Sequence, residues 1–249
     1  MKTAENDKKV TILGVSFIHI TLDNMVKRLV THVQEKRKAF VVTANPEIVL
    51  YANENKEYKQ YIDKADYVTP DGIGIVKGAQ LLGQPLPERV TGFDMFMNLL
   101  EASNEHRFSI YLLGAKEEVL VKTKDVITKN YPNITIVGSH NGFFDWNDTV
   151  IDTEIKEKKP DFVFVALGFP RQEQWIAQRI ETFQQGVFIG IGGSFDVLAG
   201  EVKRAPEVWQ KLNLEWFYRL VKQPSRWRRM LALPRFAVKI FGNKMKRSS

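Results

Sequence analysis

Two short runs, FVFVAL at 162–167 and VFIGI at 187–191, are apolar almost without interruption. A strand with one face in water alternates apolar and polar residues, so a strand that fails to alternate must be covered on both faces. In a chain of 249 residues, the arrangement that provides such cover is a parallel sheet with helices on either side. Strands are expected at 10–15, 39–43, 67–69, 108–113, 134–137, 161–167 and 187–191. Helix-period segments fall between several of them, at 22–35, 93–103, 117–129 and 172–182. The alternation predicts a doubly wound, Rossmann-like α/β fold with a mostly parallel sheet.

Charge divides the chain differently. Thirteen of the 36 Lys and Arg residues, but only two of the 29 acids (Glu207 and Glu215), lie from Lys203 onward. That segment therefore carries about +11 and the preceding body about −4. Its apolar residues, Val208, Trp209, Leu212, Trp216, Phe217 and Leu220, recur at helical spacing from 206 to 222. After Pro224, Arg and Lys are interleaved with Trp227, Met230, Leu231, Phe236, Ile240 and Phe241. We therefore divide the chain into an α/β domain at 1–200 and a basic, amphipathic helical appendage at 201–249. The pattern fits a helix lying at an anionic membrane surface. It equally fits a helical hairpin packed on the body with a solvated basic face. A basic arm with tryptophans is also compatible with a nucleic-acid-binding protein, although no nucleic-acid motif accompanies it.

Composition excludes some chemistries. There is no cysteine, hence no disulfide, thiolate metal site or cysteine nucleophile. No run of about 18 apolar residues is present to span a bilayer, and the charged start MKTAENDKK lacks the apolar core of a secretory signal. The segment GIGGSFD stops short of a dinucleotide fingerprint, because Phe195 stands where its last glycine belongs. His19, His32, His106 and His140 lack ligand spacing, and there is no Asp-x-Asp triplet to carry a divalent metal. A metal site and a cofactor are not expected.

Four clusters stand at strand ends, where open α/β sheets hold their ligands. TANPE (43–47) offers Thr43 and Asn45 just before a proline suited to a helix start; either residue could simply cap that helix. TPDGIG (69–74) holds Asp71 in a tight turn, where a carboxylate can act as a general base or merely serve the turn. ERVTGFD (88–94) supplies Arg89, suited to phosphate oxygens or to a surface salt bridge. GFPRQEQW (168–175) places Arg171, Gln172 and Glu173 at a helix start, where a first-turn glutamate is ordinary.

In this order, and followed by GGSFD-LAG-V-RAP and EWFYRL-P-RWRRM, the clusters resemble the WecG/TagA/CpsF family of bacterial glycosyltransferases from about Thr11 to Arg235. The resemblance implies an inverting, metal-independent hexosyltransferase on the cytoplasmic face of the cell membrane. Its donor would be a UDP-sugar and its acceptor an undecaprenyl-diphosphate-linked GlcNAc. The teichoic-acid branch transfers N-acetylmannosamine in a β-1,4 linkage; other branches use its uronic acid or other hexoses. The family's functional positions fall on Thr43, Asn45, Asp71, Arg89 and Gln172, with Arg219, Arg226 and Arg229 in the tail. Asp71 would be the base, Arg89 would offset charge on the leaving UDP, and the remaining residues would bind substrate. The expected partners are these substrates and an anionic membrane met by the tail, with no nucleic acid. Exposed apolar tail residues would also suit a homo-oligomer.

Overall fold

A computed structural model describes residues 7–212, 214–222 and 227–248. The chain opens with strands β1 (Lys9–Ile12) and β2 (Val15–Ile18), helix α1 (Leu22–Gln34) and strand β3 (Lys38–Ala44). Helices α2 (Pro46–Glu54) and α3 (Lys56–Asp63) lead to β4 (Tyr67–Pro70), then α4 (Ile73–Leu81) and α5 (Gly92–His106). Next come β5 (Ser109–Gly114), α6 (Glu117–Asn130), β6 (Thr135–His140), α7 (Val150–Lys158) and β7 (Phe162–Ala166). Helix α8 (Arg171–Arg179), a 3-10 turn, β8 (Gly186–Gly190) and the short α9 (Ser194–Leu198) complete the body. The tail forms α10 (Glu207–Lys211), α11 (Glu215–Lys222), α12 (Trp227–Met230) and α13 (Ala232–Ser248).

Six strands form one parallel sheet in the order β4-β3-β8-β7-β5-β6. The apolar runs lie at its centre, with Phe162 opposite Val187 and Val41 opposite Ile189. Successive side chains go to opposite faces. Phe40, Val42, Val163, Val165 and Phe188 join one core, with α2, α3, α4, α7 and α8. Ala39, Val41, Phe162, Phe164, Val187 and Ile189 join the other, with α1, α5, α6 and α9. This three-layer arrangement is the doubly wound architecture expected from the uninterrupted runs.

Residues 10–15 do not form one strand of this sheet. They belong to an antiparallel hairpin in which Val10 pairs with Phe17 and Ile12 with Val15. Leu13 and Gly14 both take positive φ, the backbone a two-residue hairpin turn requires. The hairpin lies beside β4 and covers an otherwise bare sheet edge. The helical spacing read over 206–222 is realised as two helices, α10 and α11.

The end of the tail is packed on the body. Phe236 and Ile240 of α13 are buried in the core shared with α2 and α4. Arg229 forms a bidentate pair with Glu47 in the first turn of α2, and Arg235 and Lys239 both reach Glu54 in its last turn. On the outer side Val238, Phe241 and Met245 remain exposed. Among the described residues, no helix is long and apolar enough to cross a membrane.

Replacing a buried phenylalanine by alanine removes roughly 3 kcal/mol of packing. Phe236→Ala should therefore release α13, seen as faster tryptic cleavage at Lys239 and Lys244 while the sheet keeps its cooperative unfolding.

A candidate active site at the switch point of the sheet

The adjacent strands β3 and β8 send their following helices to opposite faces. Helix α2 buries Ile48, Val49 and Leu50 on one side, while α9 buries Phe195 on the other. Doubly wound sheets take ligands outside such a pair of strand ends, and here burial gives way at Asn45, Gly192 and Gly193. Phe195, in the place of the fingerprint's last glycine, packs near Phe96 in the core. The turn before it, at 190–193, follows the end of β8.

Three of the sequence clusters are tied together at this edge by backbone bonds. Asp71 N–H donates to Ala44 O at 3.0 Å, and Val90 N–H donates to Pro70 O at 2.9 Å. Asn45, Asp71 and Arg89 are thus each within one residue of a hydrogen bond joining the ends of β3 and β4 and the loop after α4. The Asn45 side-chain oxygen accepts from Ile48 N–H at 3.0 Å and caps α2, as one of its two sequence readings required. Thr43 is buried and caps nothing. Its hydroxyl donates to Gly190 O at 3.0 Å, joining β3 to the end of β8.

Gly92 begins α5 against these groups. A Cβ built there would meet Thr43 Oγ1 at 3.1 Å and Ile191 Cα at 3.5 Å, so a side chain would push α5 away from the strand ends. Thr91 caps the helix by accepting from Asp94 N–H at 3.0 Å. Arg204 pairs with Asp94 and lies over the Phe93 ring, which fastens the start of the tail beside the same helix end. The amino end of α5, with its positive dipole end, is thereby held against the ends of β3 and β8.

Arg89 is engaged by the tail. Its guanidinium lies 3.4 Å from Glu215 at the start of α11, with the side chains only 20% and 13% exposed. Glu215 is one of the tail's two acids, and that isolated negative charge was the signal in the sequence for such a contact. Arg219 lies on α11 and Arg229 holds Glu47 two residues beyond Asn45. Arg226 lies outside the described residues.

Gln172 and Glu173 are both buried at the start of α8. The Gln172 amide donates from Nε2 to Glu173 Oε1 at 2.7 Å and accepts at Oε1 from Gly192 N–H at 3.0 Å. Gln172 thereby braces the turn after β8 from beneath. Glu173 is no solvated first-turn acid: it is fully buried, and burial pushes its carboxyl up to about 7 against the opposing hydrogen bond from Gln172. Arg171 lies outside this cluster, with its guanidinium over the Trp146 ring.

The chain matches the glycosyl transferase WecG/TagA/CpsF family model over residues 10–249. It is 39% identical over 227 residues to the N-acetylglucosaminyldiphosphoundecaprenol N-acetyl-beta-D-mannosaminyltransferase of Bacillus spizizenii, covering 91% of this chain and 88% of the relative. It is 40% identical over 243 residues to the enzyme of the same name from Staphylococcus aureus, covering 97% and 95%. These likenesses do not favour the reading of the tail as a nucleic-acid arm, and three of its cations are paired with Glu47 and Glu54.

Glu173 gives the site a pH signature. Its folded value near 7 lies above the ordinary 4.5, so the native state holds this proton more tightly than the unfolded chain. Its contribution to stability is therefore lost as pH rises from about 4.5 to 7, by up to roughly 3 kcal/mol. Urea unfolding at pH 5 and pH 8 should show wild type losing stability across that interval relative to Glu173→Gln.

Proposed function

The chain belongs to the WecG/TagA/CpsF family of glycosyltransferases, and on that basis we propose that it transfers N-acetylmannosamine from UDP-ManNAc to GlcNAc-diphospho-undecaprenol. This is the step in wall teichoic acid linkage-unit synthesis that forms a β-1,4 bond with inversion. The acceptor and the transferred sugar are those in the name shared by the relatives at 39–40% identity.

The observation that carries a mechanism is the pair of backbone bonds, Asp71 N–H to Ala44 O and Val90 N–H to Pro70 O, that gathers Asn45, Asp71 and Arg89 at one sheet edge. The Asp71 carboxylate accepts the proton of the acceptor hydroxyl as its oxygen attacks the anomeric carbon. The bond from that carbon to the diphosphate breaks on the opposite side, and UDP leaves with the electron pair. A single displacement of this kind inverts the anomeric centre. Arg89, the amino end of α5 and the tail arginines Arg219, Arg226 and Arg229 offset the charge that builds on the leaving diphosphate. Thr43, Asn45 and Gln172 hold the walls against which donor and acceptor lie.

No divalent metal takes part in this reading, in keeping with the absence of an Asp-x-Asp triplet; the cations named above do that work. The protein acts as a peripheral enzyme at the inner face of the cell membrane, where the acceptor's lipid is anchored. The tail meets anionic lipid there, its exposed Trp227, Leu231, Val238, Phe241 and Met245 supplying apolar contact and its Lys and Arg the attraction.

The test is UDP release from UDP-ManNAc with a short-chain GlcNAc-diphosphoryl-lipid, with and without EDTA. Acceptor-dependent release that survives EDTA is expected, with Asp71→Asn folded yet slower by about 10²–10⁴-fold. Release only from a different UDP-sugar would replace the donor, and an undiminished rate in folded Asp71→Asn would remove Asp71 as the base.

A further inference from the structure

The buried carboxyl beside Gln172 has no part in the mechanism above, although two hydrogen bonds link it to Gly192 in the turn after β8. We infer that Glu173 is a positioning residue for the transfer reaction. Its carboxyl holds the Gln172 amide in the one orientation that pins Gly192 N–H, and with it the turn Gly190–Gly193. This inference rests on the proposed transferase reading only for its kinetic consequences.

The two faces of a carboxamide differ. Gly192 N–H can only donate, so the amide must turn its oxygen toward it, and the 3.0 Å bond to Gln172 Oε1 meets that need. Nε2 then points the other way and needs an acceptor, which Glu173 Oε1 supplies at 2.7 Å. A flipped amide would set its NH2 against the half-buried Gly192 N–H and turn its buried oxygen toward the Glu173 carboxyl oxygen, losing both hydrogen bonds. Glu173 is what makes the productive orientation the stable one.

The turn so held touches the rest of the site. A Cβ on Gly190 would lie 2.7 Å from Gln172 Nε2, so the amide sits flush on the last residue of β8. The carbonyl of that residue receives the Thr43 hydroxyl, and the next residue, Ile191, lies against the start of α5 at Gly92. A turn that shifts would therefore move Thr43 and the amino end of α5 relative to one another.

Fold stability gives little reason for an acid here. Glu173 is fully buried, and although the Tyr58 hydroxyl lies close enough to favour its charged form, neither that hydroxyl nor Glu173 Oε2 makes a hydrogen bond of good geometry. Tyr58, the α3 residue beside the carboxyl, is itself packed edge-on against the rings of Tyr51 and Phe169. An apolar side chain of equal size should suit such a place better than a carboxyl. Loss of function in a variant that is as stable as wild type, or more so, therefore separates positioning from mere packing.

The experiment is a double-mutant cycle in the full-length chain with Glu173→Met, Gln172→Met and both, beside Glu173→Gln. Turnover with UDP-ManNAc and the lipid acceptor is read together with hydrogen exchange of the Gly192 amide in protein labelled with 15N-glycine. Glu173→Met should keep or raise the melting temperature, lose about tenfold or more in kcat and expose the Gly192 amide to exchange. Glu173→Gln, which keeps an acceptor oxygen for Gln172, should recover most of that loss and keep the protection. The double variant should be no slower than Gln172→Met alone.

Wild-type turnover in folded Glu173→Met, or losses that multiply in the double variant, would overturn the inference. If the Met variant does not fold, Glu173→Asp withdraws the carboxyl by one methylene and decides by the same criteria. Should wild type itself be inert with every UDP-sugar, the transferase reading fails. Gly192 exchange then still decides: protection lost in Glu173→Met but kept in Glu173→Gln supports the inference, and protection unchanged in Glu173→Met ends it.

Discussion

The parallel pairing of β3 with β8 is the constraint on which the rest of this molecule depends. Both strands are buried on both faces, so their side chains are committed to packing and only their ends can meet a ligand. Because α2 and α9 leave those ends toward opposite layers, burial gives way just past them, at Asn45, Gly192 and Gly193. The tie from Thr43 to Gly190 and the support of Gly192 by Gln172 hold those strand ends in place. Chemistry is thus borne by short loops whose positions are set by a rigid sheet, the usual division of labour in α/β enzymes.

The tail is held by forces of two kinds. Burial of Phe236 and Ile240 is worth about 1.5–3 kcal/mol each and does not depend on salt. The pairs of Arg235 and Lys239 with Glu54 are largely exposed, worth about 0–1 kcal/mol each and screened by ions. Arg229 on Glu47 has better, bidentate geometry but is itself 46% exposed. The Arg89–Glu215 pair is the most sheltered contact between the tail's acids and the site. Its energy depends on both charges staying together, since either one left alone in that half-buried place would be costly. The acidic cast of the body and the basic cast of the tail thus have a local meaning in Glu47 and Glu54.

Much of this was legible in the sequence, for a definite reason. The runs at 162–167 and 187–191 cannot be exposed on either side, so they named the central strands and the fold. The hairpin was missed because its turn residue Leu13 is as apolar as its neighbours, and only its positive φ marks the reversal. Asn45, Asp71 and Arg89 could be named singly, but their assembly rests on hydrogen bonds between segments with no local signature. Thr43 and Gly190 are 147 positions apart, and Arg89 and Glu215 are 126 apart. Glu173 carries the local pattern of an ordinary first-turn acid, and only the packing of α8 beneath the β8 turn reveals its burial.

The most direct test of the central claim is to photocrosslink an azido-uridine analogue of UDP to the protein and map the labelled peptides. Labelling confined to the segments 43–47, 69–74, 89–94 and 190–194, and suppressed by excess UDP, is the predicted result. Competable labelling at the far edge of the sheet instead, around β5 and β6, would contradict the placement of the active site at the β3–β8 switch point.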